Sequence, residues 1–117
     1  MKSKKNLVLL GMMGSGKSTI GKLVSKKLNM KLIDIDKVVE NEMNMKIAKI
    51  FLEKGENFFR YLEEKITLKS LMSINKVIAL GGGGFINEKI RNKIIKNNFS
   101  VWLNWDSFTL INRIKKN

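Results

Sequence analysis

Gly11-Met12-Met13-Gly14-Ser15-Gly16-Lys17-Ser18-Thr19 reads G-x-x-x-x-G-K-S and follows directly on the apolar run Leu7-Val8-Leu9-Leu10. A buried strand that feeds a glycine-rich turn can aim backbone N–H groups inward around phosphate oxygens. Gly11, Gly14 and Gly16 tolerate the unusual backbone angles this needs. Lys17 brings a positive charge to the β- and γ-phosphates, and the Ser18 hydroxyl is of the type that ligates Mg²⁺. Downstream, Ile20, Leu23, Val24 and Leu28 form an apolar stripe at helical spacing. The spacing predicts a helix over 17–28 whose N-terminus turns its partial positive charge toward the phosphates. Without that context the motif would be only a flexible glycine turn; with it, the stretch reads as a nucleotide-binding loop.

The chain has 117 residues, the size of one domain, 1–117, with a single core. It is 44% hydrophobic and 28% charged, a globular balance. No apolar run approaches the roughly 18 residues of a membrane span. The basic start Met1-Lys2-Ser3-Lys4-Lys5-Asn6 leads into too short an apolar run for a signal peptide, so a cytoplasmic protein is expected. With no Cys and no His, disulfides, thiolate and imidazole metal sites and a histidine base are all excluded. Acid–base chemistry must fall to Asp, Glu, Lys or Tyr. The net charge of +13 invites a nucleic-acid reading, but the lysines are spread over every segment. A solvated lysine surface accounts for them, with a field that attracts anionic substrates at low salt. Neither a nucleic-acid nor a membrane partner is expected, and the chain is expected to act as a monomer.

Asn6 to Leu10 reads as the first strand and Lys31-Leu32-Ile33-Asp34-Ile35-Asp36 as the second. If extended to its end, the second strand points Asp34 and Asp36 the same way at the edge where α/β proteins bind ligands. One carboxylate could then serve Mg²⁺ and the other a substrate hydroxyl; alternatively Asp36 is the N-cap of the helix expected from 36 to 44. A further helix over 46–54 closes at Gly55, and residues 56–72 continue helically with Phe58, Phe59, Leu62, Ile66 and Met72 available to a core face. Spacing alone makes Arg60 a surface arginine paired with Glu63 or Glu64. Lys76 to Leu80 is the third strand, and Gly81-Gly82-Gly83-Gly84 follows where backbone must approach a ligand too closely for a Cβ. A basic amphipathic helix over 87–97, a fourth strand Phe99–Leu103 and a last helix from Ser107 complete the chain, with Trp102 and Trp105 as packing residues. Strands alternating with helices, with the acid pair and glycine run at strand ends, predict an α/β fold with a parallel sheet.

Taken together, the phosphate loop, Asp34-Ile35-Asp36, Gly55-Glu56-Asn57-Phe58-Phe59-Arg60-Tyr61-Leu62-Glu63 and Leu80-Gly81-Gly82-Gly83-Gly84 resemble the shikimate kinase family in order and spacing, over about residues 6–114. The resemblance implies a P-loop kinase fold, a three-layer α/β/α arrangement with four of the usual five parallel strands, and transfer of the ATP γ-phosphoryl group to the 3-hydroxyl of shikimate. It implies that Gly14, Ser15, Gly16, Lys17, Ser18 and Thr19 hold ATP, with Ser18 and Asp34 serving Mg²⁺. Asp36 would bind the shikimate hydroxyls and act as the candidate base, beside Lys17 as the catalytic cation. Arg60 would pair with the shikimate carboxylate, Glu63 would orient Arg60, and Gly81, Gly82 and Gly83 would line the substrate. Arg113 falls where the family often sets an arginine against adenine. In this light Arg60 is a site residue and no longer a mere surface arginine.

Members of the family continue past this point into a lid with an arginine over the phosphates, an Arg-Pro-Leu-Leu segment, another substrate arginine and a fifth strand. This sequence stops at Lys115-Lys116-Asn117 and has no Pro. The expectation is a C-terminally truncated domain, either an enzyme or a fragment that binds ATP and shikimate without turnover. A related small-molecule kinase such as a gluconate kinase is the other alternative.

Overall fold

The computed structural model describes residues 6–11, 17–81, 87–97 and 99–103. Its strands are β1 (Leu7–Gly11), β2 (Lys31–Asp34), β3 (Lys76–Ala79) and β4 (Phe99–Leu103), joined in one sheet of order β2-β3-β1-β4 in which every pair is parallel. Its helices are α1 (Lys17–Leu28), α2 (Ile35–Met43), α3 (Ile47–Lys54), α4 (Glu56–Leu71) and α5 (Glu88–Asn97).

Strand alternation divides the core in two. Leu9 and Val77 turn to one face, where Ile20 and Val24 of α1 cover them with Leu7, Met30 and Leu32 at the margin. Val8, Leu10, Ile78 and Leu80 turn to the other, against Ile35 and Val39 of α2, Ile50 of α3, Phe59, Ile66 and Leu71 of α4, and Ile90 and Ile94 of α5. Each fully buried aliphatic side chain contributes roughly 1.5–3 kcal/mol. Helices on both faces of the sheet make three layers, and the handedness of parallel crossovers explains which helix lies where. The β1-to-β2 connection runs outward and puts α1 on one face. The β2-to-β3 and β3-to-β4 connections run back across the sheet and put α2–α5 on the opposite face.

Because the chain leaves β1 toward one face and β3 toward the other, the C-terminal ends of these neighbouring strands bound a crevice, the switch point at which open α/β sheets bind ligands. The strand ends are knit closely, with Leu80 N–H donating to the Leu9 carbonyl at 3.2 Å.

Two sequence expectations are corrected. β2 stops at Asp34 because Asp34 caps α2, its Oδ1 accepting from Lys37 N–H at 3.4 Å; Asp36 therefore sits in the first helical turn, and the two acids are not alternate residues of one strand. The N-cap is Asp34 and not Asp36. On α4 the core stripe is Phe59, Glu63, Ile66, Thr67 and Leu71, whereas Met72 lies past the last helical turn and is 77% exposed. The expected Gly55 helix end is present, at φ 89°, and one residue serves as both the end of α3 and the start of α4. The last helix expected from Ser107 lies outside the described residues, as does Trp105.

Candidate active site

Three segments meet at the C-terminal edge of the sheet: the β2–α2 junction with Asp34 and Asp36, α4 with Arg60 and Glu63, and the backbone at Gly81, two residues past β3. The register places Asp34 beside Ala79, so the acid pair and the start of the glycine run are neighbours across the sheet.

Glu63 is the centre of the arrangement. It is 4% exposed on the core stripe of α4, a position where an unpaired carboxylate would be strongly disfavoured. Its Oε1 accepts from Arg60 Nη1 at 3.0 Å. Its Oε2 points the other way, to within 2.8 Å of the point where a Cβ on Gly81 would stand. Asp36 Oδ1 comes within 2.7 Å of that same point. Asp36 and Glu63, from different helices, thus converge over the end of β3.

Arg60 is fixed from several sides. Besides Glu63, Glu56 Oε2 lies 3.6 Å from its Nε, one helical turn earlier. Its guanidinium carbon stands 5.3 Å from the Phe59 ring centroid and 6.0 Å from that of Phe51. Those two rings are themselves in contact, with centroids 4.7 Å apart. A guanidinium resting on aromatic rings and hydrogen-bonded to a buried carboxylate is pre-oriented, and its partly exposed edge suits a planar anion. Of the two partners expected from spacing, Glu63 makes the contact. Glu64 instead turns to α5, accepting from Asn87 Nδ2 at 3.3 Å and pairing with Lys89 at 3.5 Å. Glu56 and the Phe51–Phe59 platform were missed in the sequence; Glu56 was legible at i−4 from Arg60, but Phe51 reaches the site only through the packing of α3 on α4.

Lys17 begins α1, and Ser18 and Thr19 follow it in the same turn. Gly14, Ser15, Gly16, Gly82, Gly83 and Arg113 lie outside the described residues. Among the described residues no three acidic side chains gather as an all-protein metal cage would require. Mg²⁺ does not demand one, since it keeps several waters and takes one or two hard oxygen ligands together with substrate phosphates. Asp34 and Ser18 are donors of that kind. No helix among the described residues is long and apolar enough to cross a membrane.

Residues 13–117 match the family model described as shikimate kinase. The shikimate kinase of Sulfurihydrogenibium sp. is 45% identical over 111 residues, covering 95% of this chain and 67% of that protein. Among solved structures, the shikimate kinase of Bacteroides thetaiotaomicron superposes with a TM-score of 0.82 at 32% identity, over 87% of this chain and 58% of that one. The shikimate kinase of Acinetobacter baumannii in complex with shikimate gives 0.83 at 27% identity, over 94% and 62%. The chain therefore spans about three fifths to two thirds of the length of the relatives it matches.

Proposed function

The chain belongs to the shikimate kinase family, and on that premise we propose that it takes up ATP with Mg²⁺ and shikimate and transfers the γ-phosphoryl group to the 3-hydroxyl. The observation that supports this reading is the approach of Asp36 and of Glu63, whose other oxygen holds Arg60, to Gly81 just past β3. It offers a hydroxyl acceptor and a carboxylate clamp in one place, the two ends of a carboxylated cyclic polyol.

Arg60 pairs with the substrate carboxylate, Glu63 keeps the guanidinium turned toward it, and Asp36 accepts from the ring hydroxyls. The 3-hydroxyl oxygen attacks the γ-phosphorus as the bond from that phosphorus to the ADP oxygen breaks; the hydroxyl proton passes to Asp36 and on to solvent. Little covalent chemistry falls to the protein in such a step, so positioning and charge neutralisation dominate. Lys17 supplies the cation at the β- and γ-phosphates, with Gly14, Ser15, Gly16, Ser18 and Thr19 around them and Arg113 against the base. Ser18 and Asp34 would hold Mg²⁺, which offsets phosphate charge when bound. The backbone at Gly82 and Gly83 would donate to substrate oxygens.

The test is a coupled ADP-release assay with ATP and Mg²⁺, with and without shikimate, run beside calorimetric titration of each ligand. Shikimate-dependent ADP release is the expected result. Binding of both ligands without release would mean that this chain captures its substrates without turning them over, and binding of neither would overturn the assignment.

A further inference from the structure

We propose that Gly81 is a positioning residue of this site: its missing side chain is what lets the Asp36 and Glu63 carboxylates converge, and so it sets where Asp36 stands relative to the Arg60 clamp. The proposal rests on the reading of Asp36 and Arg60 as substrate ligands given above.

A Cβ at Gly81 would meet Asp36 Oδ1 at 2.7 Å and Glu63 Oε2 at 2.8 Å, both shorter than real Cβ contacts allow. Gly81 is itself buried at the end of β3, so its backbone has little room to retreat. One carboxylate must therefore give way, and the two differ in burial. Glu63 is nearly inaccessible, lies on the core stripe of α4 and is hydrogen-bonded to Arg60. Asp36 is half-buried in the first turn of α2, where a short side chain can rotate toward water. The displacement falls on Asp36. A methyl group at position 81 would thus leave the fold and the Arg60–Glu63 pair standing while moving the hydroxyl acceptor away from the carboxylate clamp.

This role differs from donation by the Gly81 N–H. Alanine keeps that N–H, so a purely backbone role leaves Gly81→Ala indistinguishable from the parent chain, whereas a spacing role does not.

The experiment is calorimetric titration of the full chain and its Gly81→Ala variant with shikimate and, separately, with Mg-ATP, alongside thermal melts. Gly81→Ala is expected to weaken shikimate binding by about 10- to 100-fold, the equivalent of one displaced charge-assisted hydrogen bond. ATP affinity is expected to stay within about twofold, the usual limit for uncoupled sites. The added methyl acts on shikimate binding through the Asp36 carboxylate. In the Gly81→Ala/Asp36→Ala chain the loss should therefore be smaller than the product of the two single losses. Unchanged shikimate binding in Gly81→Ala, equal loss of both ligands, losses that simply multiply, or failure of Gly81→Ala to melt cooperatively would each overturn the proposal. A parent chain that binds ATP but not shikimate would instead overturn the substrate reading, and this proposal with it.

Discussion

Arg60 and Glu63, one turn apart on α4, meet at 3.0 Å with unequal access to water: the arginine side chain keeps 43% of its surface and the glutamate 5%. The pair is therefore not symmetric under mutation. Removing Arg60 leaves a buried carboxylate short of its cation, while Glu63→Gln keeps an oxygen acceptor for the guanidinium and removes the buried charge. Arg60→Ala is expected to cost about 1–2 kcal/mol of stability and Glu63→Gln less, since water reaching the arginine site softens the first loss. Urea denaturation of both variants measures the order, and a larger loss in Glu63→Gln would contradict it.

The same arginine should separate the two ligands. Arg60→Ala is expected to weaken shikimate binding by about 10- to 100-fold, the value of a charge-assisted contact, with ATP binding nearly intact. Arg60→Lys should recover only part of that loss, because an ammonium cannot present a planar fork while resting on the Phe51 and Phe59 rings. Equal loss of both ligands in calorimetry would remove Arg60 from the substrate site.

Lys17→Ala should give the opposite pattern. On the proposed reading Lys17 meets the phosphates, so nucleotide binding should fall at least about tenfold while shikimate binding is retained. Unchanged nucleotide affinity would contradict the reading of the loop before it.

The α/β alternation, the strand-to-α1 passage and the Gly55 junction were all legible in the sequence, because apolar runs, a 3.6-residue stripe and a glycine between helices are local signals. The end of β2 was not. Asp34 and Asp36 fit an extended alternation as well as a cap followed by a helix, and only the hydrogen bond from Lys37 N–H to Asp34 decides between them. The burial of Glu63 was illegible for a different reason. A glutamate at that spacing is most simply solvent-facing, and it is accommodated on the core stripe only because Arg60 meets it there. The Phe51 ring beneath Arg60 and the approach of Asp36 to Glu63 are long-range contacts that no spacing rule encodes.

Asn6 ties the start of β1 to the turn before β3. It is 1% exposed, accepts from Lys76 N–H at 2.9 Å, and donates through Nδ2 to the Ser73 carbonyl at 2.8 Å and that of Leu71 at 3.4 Å. Asn6→Ala removes the partner of one buried and two part-buried backbone groups, an expected loss of about 1–3 kcal/mol. Asn6→Asp keeps the acceptor and loses the donor, so it should also destabilise. Chemical denaturation reads both, and a neutral Asn6→Ala would show that water replaces the side chain.

Gly55 and Asn44 end adjacent helices in different conformations and should respond differently. Asn44 sits at φ 52°, ψ 41°, a left-handed geometry that asparagine tolerates, so Asn44→Gly should be close to neutral. Gly55 sits at φ 89°, ψ 165°, a region essentially closed to side chains, although nothing lies within 4 Å of where its Cβ would be. Gly55→Ala and Gly55→Asn should therefore both cost about 1–3 kcal/mol through backbone strain alone. If asparagine were tolerated there, the strain account would be wrong.

Thr67 provides a stabilising substitution. It is fully buried on α4, and its Oγ1 has no hydrogen-bond partner among the described residues, although Ser70 on the same helix does donate back to the Ile66 carbonyl at 2.9 Å. An unpaired buried hydroxyl is a desolvation cost that a methyl group of similar shape removes. Thr67→Val keeps the branched Cβ and the volume, so it should raise stability by about 1 kcal/mol. Thr67→Ala removes the same hydroxyl but also a methyl, and the space left behind should cancel the gain. Urea midpoints of the two variants distinguish the contributions: valine above the parent with alanine at or below it supports an idle hydroxyl. A destabilising valine would mean that the Thr67 oxygen has a partner in solution, a buried water being the simplest.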